Sequence, residues 1–107
     1  MSRAGDAEPS PERRALEARW LKLTRETLPV LAVERGWPVR ADHCFQRILL
    51  DNAVGGRWYD AIEGRPAYRH AAADVLEHAT ALGDAVAKGE ADLALLNRGS
   101  LGWRGKV

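Results

Sequence analysis

Residues Ala71 to Lys88 carry a helical pattern that restricts the chain to few folds: Val75, Ala79, Leu82 and Val86 recur at 3 and 4 spacing, and Gly89 stands where a helix would stop. The apolar face is mostly small, so a partner helix can approach closely. Nowhere does the chain show an alternating strand pattern of useful length, and no segment repeats. The expected fold class is all-α, a single compact bundle of four or five helices without substantial sheet.

The other helices follow from their punctuation. Residues 1–9 combine Gly, Pro, Ser and acidic residues without periodic apolar positions, and read as a disordered lead-in to one helical domain over 10–107. Ser10-Pro11-Glu12 is a helix start: a hydroxyl cap, proline at the first position, an acid in the first turn. Leu16, Trp20, Leu23 and Thr24 then share a face. Pro29 cannot donate within this ladder, so the helix either kinks there or restarts, and Gly36 closes it. A second helix runs from an Asp42 cap to about Val54, ending at Gly55-Gly56. Its apolar residues lie on two sides, Phe45, Ile48 and Leu49 on one and Leu50 and Val54 on the other, which marks a central helix with several neighbours. Arg57 to Arg69 reads as a short helical turn and a loop. The last helix spans about Ala91 to Asn97 or Arg98, weakened beyond by Gly99 and Gly102.

Composition excludes several function classes. With 16 basic against 15 acidic residues the net charge is +1, so no global field gathers nucleic acid or anionic membrane. No apolar run approaches the roughly 20 residues that cross a bilayer. One cysteine forbids an intrachain disulfide, and with no charged-then-apolar leader the expected setting is a reducing cytoplasm. Of the 16 basic residues 13 are arginine, whose planar fork suits carboxylate and phosphate; a GC-rich genome produces the same bias.

Chemistry concentrates between Arg40 and His70, which hold Cys44, His43, His70, five arginines and the run Arg57-Trp58-Tyr59-Asp60. Cys44 lies in the first turn of its helix with Arg47 one turn on, and both favour a thiolate, while Asp42 and Asp51 oppose it. His70 or His78, folded back to it, would be its base. A lone cysteine is more commonly a small buried hydrophobe. His43 and Cys44 diverge by about 100° on a helix, and His70 and His78 stand eight residues apart, so no metal site is expected. His78 has Asp74 one turn before it as a partner. Asn52 and Asn97 fall on apolar arcs and are expected to tie a helix to a neighbouring loop such as the Gly55-Gly56 turn, with a role in holding a ligand as the alternative. Asp51 is expected to pair with Arg47 in a surface contact of little consequence.

The segment Gly36-Trp37-Pro38-Val39-Arg40-Ala41-Asp42-His43-Cys44-Phe45-Gln46-Arg47-Ile48-Leu49-Leu50-Asp51, with the closing Asn97-Arg98-Gly99-Ser100-Leu101-Gly102-Trp103-Arg104-Gly105-Lys106, resembles small uncharacterised bacterial helical proteins, some with an acetyltransferase-type label. The resemblance supplies no catalytic residues. An acetyltransferase of the common type needs a sheet and a glycine-rich acyl-CoA loop, and neither is visible in this chain.

Three readings follow. The first is a small cytoplasmic binding module that presents His43, Arg47, Trp58, Tyr59, Tyr68, Arg69 and His70 to a protein partner or a small anionic ligand, with no cofactor. The second is an enzyme with Cys44 as nucleophile and His43 or His70 among its catalytic groups. The third is a nucleic-acid binder whose arginines take phosphates while its aromatics stack on bases.

Overall fold

The computed structural model describes residues 9–106, so the reading of a disordered lead-in falls almost wholly outside the described residues. Its elements are α1 (Pro11–Lys22), a π-helical turn (Leu23–Thr27), α2 (Leu28–Arg35), α3 (Asp42–Val54), α4 (Trp58–Ala61), α5 (Ala67–His70), α6 (Ala73–Ala87) and α7 (Leu93–Trp103). The first three join in one rod. Four long helical elements and two single turns therefore make an all-α fold, with no strand among the described residues.

The rod begins as its cap dictates: Ser10 Oγ accepts the Arg13 N–H at 3.0 Å, with Pro11 at the first position. At Pro29 the chain stays helical, with the π turn before it and α2 starting at Leu28. A proline cannot donate to the carbonyl four residues back, and the turn before it widens, so that the Leu28 N–H reaches Leu23 O in a π bond. Gly36 (φ 65°) ends the rod in the left-handed conformation.

Helix α3 is central, packing against α2, the π turn, α4, α6 and α7. Phe45, Ile48, Leu49 and Leu50 are buried on its two apolar sides. Each such side chain contributes about 1.5–3 kcal/mol on leaving water. Its cap differs from expectation: Ala41 holds the cap position, and Asp42 is the first helical residue, its Oδ1 accepting the His43 N–H at 2.7 Å.

Helix α6 lies over α3 and the rod, and its buried face is Leu76, Ala79, Thr80, Gly83 and Val86. Val75 and Leu82 of the expected stripe are only half-buried. The face has turned toward Gly83, where an added Cβ would fall 2.4 Å from Leu23 Cδ2 and 3.0 Å from Leu49 Cδ1. Close approach at that glycine sets the orientation of the helix. His78 points outward, and Asp74 accepts the Val75 N–H instead of pairing with it.

Helix α7 starts at an Asp92 cap and continues through Gly99 and Gly102 to Trp103, five residues beyond the expected end at Arg98. Two glycines cost a helix about 1 kcal/mol each against alanine. Side chains that α7 sends into the core, described next, offset that cost.

Candidate functional site

Asp51 is fully buried on α3, not a surface partner of Arg47 as its spacing suggested. Its carboxylate accepts four hydrogen bonds: Ser100 Oγ at 2.7 Å, Arg104 Nε at 2.7 Å, Arg104 Nη2 at 3.0 Å and the Trp58 N–H at 2.9 Å. Three segments meet on that one group. The Arg104 pKa is raised, first by its hydrogen bonds to Asp51, with burial opposing and the charges of Asp51 and Tyr59 adding. Tyr59 lies between two guanidinium groups, Arg57 at 5.5 Å and Arg104 at 5.2 Å from its ring centre.

Arg47, one turn before Asp51, turns to α7 instead. Its Nη1 donates to Ser100 Oγ at 2.7 Å and its Nη2 to Asn97 Oδ1 at 2.9 Å. Ser100 thus accepts from Arg47 and donates to Asp51, a continuous path from Arg47 to Arg104. Asn52 ties the same helices, donating to Ile48 O and Leu96 O. Both asparagines hold helix to helix and do not reach the Gly55-Gly56 turn.

Beside this network α3 and the segment after it flank a half-open cavity of about 250 Å³, lined by His43, Gln46, Arg47, Leu50, Trp58, Arg65, Pro66 and Ala67. Helical spacing puts His43, Gln46, Arg47 and Leu50 on one face of α3. The Asp51 bond to the Trp58 N–H fixes the start of α4 and so holds the opposite wall. There Arg65 lies over the Trp58 ring, 4.9 Å from its centre. Among the described residues no acidic side chain lines the cavity. Among the described residues neither Arg47 nor Arg65 has a carboxylate within ion-pair distance. His43 differs, its Nδ1 standing 3.8 Å from Asp42 Oδ1.

Of the residues singled out from sequence, His43, Arg47 and Trp58 meet at this cavity. Tyr59 faces the Asp51–Arg104 cluster, 43% exposed. Tyr68 packs against the core, and its carbonyl accepts from Arg13 at 2.8 Å. Arg69 lies over the Tyr68 ring at 5.9 Å and lines a second concavity with Pro9, Arg14 and Glu17, where an acid mixes the charge. His70 covers Gly64, whose added Cβ would meet its ring at 2.6 Å. Cys44 is unpaired and half-buried, it does not line the cavity, and no histidine hydrogen-bonds to its Sγ among the described residues. No group of three metal-ligating side chains occurs among those residues either.

The sequence placed Asp51 on the surface and pointed to neither Ser100 and Arg104 nor the cavity walls Gln46, Leu50, Pro66 and Ala67. A signal for the network was present: Asn97, Ser100 and Arg104 follow at 3 and 4 spacing, one face of a helix once Gly99 and Gly102 are read through. No family model matches this chain, and no curated protein or solved structure matches it.

Proposed function

We propose that this chain is a small binding module of the cytoplasm whose cavity receives an anionic group, carried by a small ligand or by a protein partner. The observation that carries the reading is Arg47: a half-buried guanidinium on the cavity wall whose two hydrogen-bond partners are both neutral. A cation withdrawn from water costs several kcal/mol without an opposite charge. An incoming oxyanion supplies that charge, and each charge-assisted hydrogen bond it accepts contributes about 1.5–3 kcal/mol. Arg65, across the cavity and equally without a carboxylate, adds to the same field.

The cavity is small beside typical ligand sites of about 300–1,000 Å³, which suits one anionic group with a modest body. Pro66, Leu50 and Trp58 give it apolar walls. The test is a nitrogen-15 NMR titration with acetate and inorganic phosphate, following arginine Nε–H and indole N–H signals. Shifts confined to Arg47, Arg65 and Trp58 are expected. Equal small shifts across all arginines would refute the reading.

A further inference from the structure

Resting on that reading, we propose that the ligand of the cavity is a phosphomonoester with a ring-sized apolar substituent, and not a carboxylate. Charge decides the first half. The His43 imidazole already has Asp42 beside it, which leaves two guanidinium groups at the cavity without a carboxylate, the half-buried Arg47 and the exposed Arg65. A carboxylate would answer one of them. A phosphomonoester carries a charge of about −1.5 to −2 near neutral pH and answers both.

Donor geometry agrees. Arg47 commits one N–H from each Nη to α7, and a guanidinium has five, so three stay uncommitted. Arg65 donates no hydrogen bond among the described residues. Gln46 commits one amide hydrogen to Thr24 Oγ1 at 3.0 Å and keeps the other. Donors approaching from α3 and from the facing segment suit an anion with three terminal oxygens pointing in different directions. The two oxygens of a planar carboxylate satisfy one arginine fork and leave the facing wall unmet.

Size and polarity decide the second half. A cavity of about 150 Å³ holds a benzene ring, so the 250 Å³ here accommodates a ring and a phosphate-sized head. Leu50, Trp58, Pro66 and Ala67 line it with apolar surface on which inorganic phosphate makes no contact. The aryl phosphate has two sources of the same chemistry, a free small molecule or a phosphotyrosine side chain.

Calorimetric titration of the full chain with phenyl phosphate, benzoate, inorganic phosphate and a phosphotyrosine peptide tests the proposal. Phenyl phosphate is expected to bind at least about tenfold tighter than benzoate and than inorganic phosphate. Arg65→Ala, which removes no hydrogen bond of the fold, is expected to weaken phenyl phosphate about tenfold and benzoate much less. Arg47→Lys keeps the charge but removes the fork, and the same selective loss is expected. A peptide that binds tighter than phenyl phosphate identifies a protein source, and one that binds no tighter identifies a small molecule; both agree with the proposal. Benzoate binding as well as phenyl phosphate overturns it while leaving an anion site. Inorganic phosphate binding as well as phenyl phosphate overturns the apolar half. Absence of binding by every probe overturns this inference and the binding module together.

Discussion

Replacing Asp51 with alanine removes the group on which α3, α4 and α7 converge. The substitution strands three donors: the Arg104 guanidinium, with a side chain 19% exposed, the buried Ser100 hydroxyl and the Trp58 N–H. Removing one partner of a buried ion pair costs about 3–5 kcal/mol, because the remaining charge keeps its desolvation without its attraction. Arg104 can swing partly toward water, so we expect the lower part of that range, about 3–4 kcal/mol. A domain of this size has about 5–15 kcal/mol in total, and the corresponding fall in Tm, at about 4–8 °C per kcal/mol, is roughly 12–32 °C. Urea unfolding followed by far-UV circular dichroism measures the loss, with Asp51→Asn, which keeps an acceptor but not the charge, expected between wild type and alanine. An Asp51→Ala chain within about 1 kcal/mol of wild type would place it among ordinary surface substitutions and refute the network as the tie between these helices.

Gly83→Ala is expected to lower stability by about 1–3 kcal/mol despite alanine's better helix propensity, because its Cβ enters the space of Leu23 and Leu49; denaturant titration reads the sign. Ser10→Ala should cost about 1 kcal/mol, the worth of a hydroxyl cap, with exchange at the Arg13 amide increasing first. The raised Arg104 pKa contributes stability that is complete below the ordinary arginine range and lost only as pH climbs through the raised one. Arg104 therefore adds no slope to stability between about pH 6 and pH 10, and urea midpoints of the wild-type chain at about pH 7.5 and about pH 9 should agree.

Apolar periodicity carried the helices into view, because burial of a stripe and a glycine stop act locally. Ser10, Gly36 and Gly55 delimit elements where their chemistry indicated. The errors arose where tertiary contacts overrode local preference. Gly99 and Gly102 weaken a helix in isolation, yet α7 runs through them because Ser100 and Arg104 are held by Asp51. Arg47 and Asp51 satisfy an i, i+4 pairing rule, but each has a better partner on α7, and no spacing within α3 could reveal it. The candidate site was legible in part for the same reason. His43 and Arg47 share a helical face by their spacing, and Trp58 joins them through the Asp51 bond to its backbone. Tyr59, next to Trp58, and the adjacent Arg69 and His70 are turned by the two short helices to other surfaces.

Tungstate, a tetrahedral dianion with a strong anomalous signal, tests the cavity most directly when diffused into crystals of the protein. The arrangement of Arg47 and Arg65 predicts one dominant anomalous peak between α3 and Pro66, within hydrogen-bond reach of Arg47 and absent from crystals of Arg65→Ala. Peaks only at outward arginines such as Arg69 or Arg98, with the cavity left dark, would contradict it.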